Sequence, residues 1–375
     1  MRTSSALFAV AALALVAAAA AQGTKGTTLR GFTFSSDVSD FLAISEDICD
    51  MRKLLNNKEP PYEQALAIYM DGKNAKSGLS MRRLATGMNY DAPFWKEYQK
   101  HFKTPLFLDD IVQRAFSGLA PYTMPVQRVQ LIIKSLESGL QVAVLMNQLD
   151  LAVKLTKEGK KDAALNAIDA AWAIYVGGAT NCGLWTVSMK RANEFGTKVN
   201  CEKSQVAGNI LTAMLDAQKA ARAGDAKGVE AARNKVQSEI AANYIQTEAY
   251  AFFRTIAPLV YAANKTAGEA LDFWLFPGQP TVDDVDLRTA RALSVAYKGM
   301  GVTPKMVGEY GKKQPELGCQ AYVPAAADAG GLLSATDAKD SLRPTDAPAA
   351  GGAAAAAPAA AAKPAGKRRF LFFRL

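Results

Sequence analysis

The sequence predicts an all-α fold: a multi-helix bundle built from duplicated helical hairpins, with a disordered Ala/Pro-rich C-terminal tail. Three observations carry this. Apolar residues recur at spacings of three and four along most of the chain, and runs of alternating β-branched residues are absent. The decapeptide "EQALAIYMDG" at 63–72 returns as "DAAWAIYVGG" at 169–178, with five of ten positions identical. Each copy follows a helical stretch and a Lys-rich turn, "DICDMRKLL" before the first and "QLDLAVKLTK" before the second. The repeating unit is therefore a helical hairpin, copied once at an offset of 106 residues, not a solenoid of short repeats. A fainter echo, "TEAYAFFRTIAP", begins at Thr247.

In chain order, residues 1–22 read as a secretory signal peptide. Arg2 precedes an apolar run that ends in alanines suited to cleavage near Ala21 or Gln22. Residues 36–55 form the first helix. Phe41, Ile44, Ile48, Met51 and Leu55 make its apolar stripe, Ser36 is the expected N-cap, and Asp37 and Asp40 lie in its first turn. "NNKEPP" stops it, and Pro61 and Gly72 bracket the next helix. Further helices are predicted at 93–102, 106–118, 125–157, 162–176, 184–195, 203–222, 226–257, 258–273 and 283–300, with Gly139 able to break or bend the long one. The expected organisation is a first helical repeat at 23–135, a second repeat with C-terminal helices at 136–322, and a low-complexity tail at 323–375 ending in the basic, aromatic "KRRFLFFRL".

The formal net charge of +9 is concentrated at the ends. Arg2 and the five basic residues of the last thirteen carry most of it, which leaves the folding region near about +3 and without a nucleic-acid footprint. The basic tail end suits contact with an anionic wall or lipid surface. Four cysteines in a secreted chain predict two disulfides. Cys182–Cys201 is favoured because it closes a short Gly-rich connection, and Cys49–Cys319 follows by elimination. "NKT" at Asn264 is a glycosylation sequon.

The repeated acid is the chemical puzzle. Glu63 shares a helix face with Leu66, Ala67 and Met70; Asp169 with Leu165, Trp172, Ala173 and Val176; Glu248 with Tyr244, Ile245, Phe252 and Thr255. A buried carboxylate needs a proton, a base or a cation. Each acid can cap a neighbouring helix or pair with Arg191, Arg254 or Arg288. Each can instead reach water at a boundary, or ligate a metal. "SEDICD" offers a second set. Asp40, Glu46, Asp47 and Asp50 fall opposite the apolar stripe of the first helix, as a solvated acidic face or as oxygen donors for a hard cation.

The single histidine, His101, reads as a lone surface residue. It excludes, within one chain, a His-rich zinc site, a two-His facial triad and a Glu-x-x-His di-iron centre. No nucleophile elbow or P-loop is present, so no enzymatic activity is expected, with a carboxylate-dependent hydrolase as an alternative.

"FSSDVSDFLAISEDICDM", "ALAIYMDGKN", "RRLATG", "PFWKEY", "AWAIYVGG", "KRANEFGT", "EAYAFFRTIAP" and "DVDL" followed by "MGVT" occur in order between 32 and 322. In these the chain resembles the low-iron-inducible periplasmic iron-assimilation proteins of green algae, also known as high-carbon-dioxide-inducible extracellular proteins. The resemblance implies a secreted, periplasm-retained protein that helps ferrous or ferric iron reach uptake machinery; taken with the oxygen-rich acids, the expected function is carboxylate-based iron binding, with cell-wall or membrane uptake machinery as partner. It implies no defined ligand set. Nothing in the reading calls for a membrane span or a nucleic-acid partner. A wall-associated structural protein without metal is the other alternative.

Overall fold

Prolines open and glycines close many of the helices. Pro93 and Pro125 stand at the first helical position, where a missing N–H costs nothing, and Gly72, Gly118, Gly177, Gly196 and Gly224 occupy C-caps. A computed structural model of the protein describes residues 24–88, 91–178, 182–200, 203–246, 250–277 and 284–309. The signal-like segment and the tail, including "KRRFLFFRL", lie outside the described residues.

The helices are α1 (Ser39–Leu55), α2 (Tyr62–Asp71), α3 (Met81–Gly87), α4 (Pro93–Phe102), α5 (Phe107–Ser117), α6 (Pro125–Lys157), α7 (Lys161–Val176), α8 (Leu184–Phe195), α9 (Gln205–Ala223), α10 (Ala226–Ile245), α11 (Tyr250–Ala263), α12 (Lys265–Leu275), α13 (Val285–Ala296) and α14 (Pro304–Val307). Short turns join α6 to α7 and α9 to α10, so each pair packs antiparallel, and the two hairpins face each other through α6–α10 and α7–α9. α1 lies against α7 on one side and α2 on the other. One continuous core runs from Phe32 to Val307, with Trp95, Trp172, Tyr69 and Tyr175 among its fully buried side chains. α6 is long and apolar enough to cross a membrane by length and composition alone, but 83% of its apolar window is buried inside this core.

The all-α expectation holds, with small additions and corrections. Two short antiparallel ladders appear, β1 (Thr28–Leu29) with β2 (Phe32–Thr33) and β3 (Lys198–Asn200) with β4 (Lys203–Ser204). The first turns at Arg30 and Gly31, both at positive φ, as a two-residue hairpin requires. Gly139 does not break α6. It sits in a π-helical stretch, Ser135–Leu140, where a Cβ would come within 3.2 Å of Leu108 of α5. The expected repeat boundary at 135/136 falls inside this stretch. The helix expected at 226–257 ends at Ile245, because Gln246 turns to donate to the Val307 carbonyl at 2.6 Å; a new helix starts at Tyr250 and carries Pro258 within it. Ser36 is not the N-cap of α1: Asp37 accepts from Ser39 N at 3.1 Å, and Ser36 is committed elsewhere. His101 is not a free surface residue. It packs 4.6 Å from the Tyr261 ring, and burial holds its pKa below the ordinary histidine value.

The cysteine pairing is also corrected. Cys49 of α1 bonds Cys182 in the loop after α7, across 133 residues. That excludes both Cys182–Cys201 and Cys49–Cys319. Cys201 and Cys319 lie outside the described residues.

Candidate functional site

The two copies of the decapeptide end alike. α2 stops at Gly72 (φ 74°, ψ 171°) and α7 at Gly177 (φ 71°, ψ 177°), a conformation side chains rarely adopt. A Cβ on Gly72 would also stand 2.6 Å from the Leu79 carbonyl oxygen, so the chain doubles back tightly there. Tyr69 and Tyr175, matched in the repeat, are both fully buried. The first donates to Asp109 Oδ1 at 2.7 Å and the second pairs with Ser188 Oγ at 3.1 Å.

Both loops that follow dock on α1. The second is pinned by the Cys49–Cys182 bond and by Gly178 N, which donates to Ser45 Oγ at 2.7 Å, while Glu46 lies against Gly178. The first loop is held to α1 by carboxylates. Asp47 Oδ1 accepts from Asn74 N at 2.9 Å and Asn74 Nδ2 at 2.7 Å, and its Oδ2 accepts from Lys73 N at 3.2 Å. Asp40 accepts from Lys76 N at 2.8 Å and Ser77 N at 3.1 Å. Asp50 takes the Lys73 ammonium at 2.7 Å, Asn74 Nδ2 at 3.3 Å and Lys53 at 3.4 Å.

Their electrostatics differ. Burial pushes the fully enclosed Asp47 carboxyl above its ordinary value, against the pull of its Lys73 and Asn74 hydrogen bonds. The hydrogen bond from Lys73 holds the Asp50 carboxyl below its ordinary value, and Asp50 in turn raises Lys73. Asp47 and Asp50 share Asn74 Nδ2, and Asp50 adds to the upward push on Asp47. The arrangement is thus two adjacent carboxylates, one buried and one partly exposed, with an exposed lysine ammonium as countercharge.

The repeated acids part company. α2 begins one residue before Glu63, in open water, and Glu63 is exposed. α7 begins eight residues before Asp169, so Asp169 lies deep in the helix and is fully buried. Its Oδ2 accepts from Ser35 N at 2.7 Å, Ser36 N at 2.8 Å and Ser36 Oγ at 2.8 Å, and its Oδ1 from Gln218 Nε2 at 2.9 Å. Burial raises its carboxyl and these four neutral donors pull it back. Asp169 therefore fixes the segment entering α1, and among the described residues no arginine or lysine pairs with it. Glu248 lies outside the described residues. Glu63 and Asp169 thus occupy different settings, and the structure does not bring them together as equivalent ligands.

Sequence reasoning missed Lys73 and Asn74, which read only as a polar turn, and Glu137, a buried carboxylate taken as part of a helix. Among the described residues, no group of three or more His, Cys, Asp and Glu side chains is placed to hold a metal ion. Two concavities, an interior one around Tyr98, Phe107 and Arg254 and an open one around Lys96, Lys100 and Lys103, carry no carboxylate.

No curated protein and no solved structure matches the chain. A family model described as low iron-inducible periplasmic protein matches residues 5–271, which take in α1 through α11 and all the candidate acids. The chain belongs to the low iron-inducible periplasmic protein family.

Proposed function

We propose that the protein is a non-catalytic iron binder of the periplasmic or extracellular space that serves iron assimilation, and that the acidic face of α1 holds its iron. The carrying observation is the Asp47–Asp50 pair with Lys73 as its removable countercharge. An iron ion takes oxygen donors, and a surface ammonium at 2.7 Å from Asp50 marks where a cation is already attracted. Lys73 is more than half exposed, so it can swing into water as iron arrives, while Asp47 is fixed by backbone N–H groups. Asp40 and Glu46 extend the same face and attract the ion at longer range. The family, the signal-like N-terminus and the disulfide all support a secreted setting.

Equilibrium binding of Fe²⁺ (anaerobically) and of Fe³⁺ (against a weak chelator) to the full chain tests the reading. Saturable binding that Asp50→Asn weakens supports it. Binding by the wild type that is indifferent to Asp47, Asp50 and Lys73 moves the iron elsewhere, and no binding at all leaves a family member that assists assimilation without holding the metal.

A further inference from the structure

The far end of α1 enters a different environment. Arg52, in its last turn, donates to Glu137 Oε1, and Lys134 Nζ donates to Glu137 Oε2 at 2.8 Å. Glu137 belongs to the π-helical stretch of α6 and its side chain is 3% exposed. Lys190 and Arg191 of α8 face the same group: burial holds Lys190 below the ordinary lysine value, Glu137 opposes this, and Arg52, Lys134 and Arg191 reinforce it. Arg191 pairs with Glu194, the more exposed carboxylate of the cluster. The Phe252 ring of α11 closes one side, with Lys134 Nζ 5.4 Å and the Arg191 guanidinium 5.5 Å from its centre.

Among the described residues, four cations thus meet two carboxylates, and the excess is +2. The donors are not used up either. Among the described residues Arg52 Nε and Arg191 Nε are both buried and have no acceptor, and buried donors are rarely left so. A structural ion-pair network would balance its charge and fill its donors. Guanidinium forks matched to planar or tetrahedral oxyanions do what this cluster does. π-helical turns, moreover, recur at functional sites.

We infer that the cluster of Arg52, Lys134, Lys190 and Arg191 around Glu137 is a binding site for a small oxyanion of charge −2, of phosphate or dicarboxylate type. It stands on four elements, α1, α6, α8 and α11, so its occupancy stiffens the packing of both repeats. The site is independent of the iron reading, because it uses none of Asp40, Glu46, Asp47, Asp50 or Lys73.

The test is calorimetric titration of the iron-free full chain with inorganic phosphate and, separately, with malonate, against chloride at matched ionic strength, followed by thermal melts. Saturable, single-site binding of either anion beyond the chloride control is expected, with a rise in Tm that follows occupancy. Preference for phosphate or malonate identifies the type. Lys190→Met, which removes one cation of the cluster and no hydrogen bond of Glu137, weakens binding about tenfold without changing the anion-free Tm. Glu137→Gln removes the competing carboxylate and tightens binding about tenfold. Heats no larger than with chloride, or binding unaffected by both substitutions, mean an adventitious ion only and overturn the proposal.

Discussion

The two copies of one decapeptide show how far a repeat carries structure and where it stops carrying chemistry. Both keep the apolar helix, the buried tyrosine and the glycine that ends the helix. They differ in what holds the loop that follows. The second loop is tied covalently, through Cys49–Cys182, beside the fully buried and fully bonded Asp169. The first is tied to α1 by Asp40, Asp47 and Asp50, and Glu63, the counterpart of Asp169, is exposed. One half is built for permanence. The other is held by carboxylates, which in the proposed reading a competing cation reaches, and that reading therefore rests on the first loop.

Cutting the permanent half has the largest expected effect. The Cys49–Cys182 bond closes 133 residues of chain, and replacing both cysteines by alanine costs about 4 kcal/mol of unfolding free energy. Urea unfolding of the double variant measures it. A loss under about 1 kcal/mol would mean that the second loop is held by its hydrogen bonds and packing, and would erase the contrast. Next comes Asp169→Ala, which strands the amides of Ser35 and Ser36 and costs about 3 kcal/mol, while the matched Glu63→Ala stays within about 0.5 kcal/mol. Equal losses in the two variants would restore an equivalence the structure denies.

A smaller effect is set by pH. Asp50 and Asp37 have carboxyls lowered by hydrogen bonds, Asp50 chiefly from Lys73 and Asp37 from the Ser39 and Thr24 backbone. A lowered carboxyl contributes stability above its unfolded pKa, near about 3.9, and loses it as pH falls through the folded value. Asp169 and Asp47 carry the opposite sign, since burial raises them: their ionisation disfavours the fold as pH rises through their folded values. Asp50→Asn should therefore cost under about 1 kcal/mol at neutral pH and progressively less on acidification. Chemical denaturation in steps from pH 7 to about pH 3 checks this. A cost that grows toward low pH would reverse the assigned role of the Lys73 contact.

The fold was legible where the information is local. Three- and four-residue spacing, Pro at helix starts and Gly at helix ends gave α2, α4, α5, α6 and α7 nearly to the residue. The break between α10 and α11 carries neither Gly nor Pro, and it depends on Gln246 reaching Val307 sixty-one residues away. The cysteine pairing failed for the same reason, because α1 meets the α7 loop only in the folded chain. The candidate acids were legible as a face on α1, where helical geometry alone sets the grouping. They were illegible as a repeat. The environment of Asp169 is supplied by Ser35, Ser36 and Gln218, and nothing in the decapeptide encodes them.

The central claim is that the α1 acids hold iron in competition with the Lys73 ammonium, and one comparison tests it most directly. Fe³⁺ affinity, measured at neutral pH against a weak chelator, should fall about tenfold in Asp50→Asn and rise by a similar factor in Lys73→Met, relative to the wild type. Lys73 is exposed and pairs with Asp50, so the second substitution leaves the core intact. Opposite shifts of this kind are the signature of a displaced countercharge. Parallel losses in both variants, or no change in either, would contradict it and leave the first loop a structural clasp.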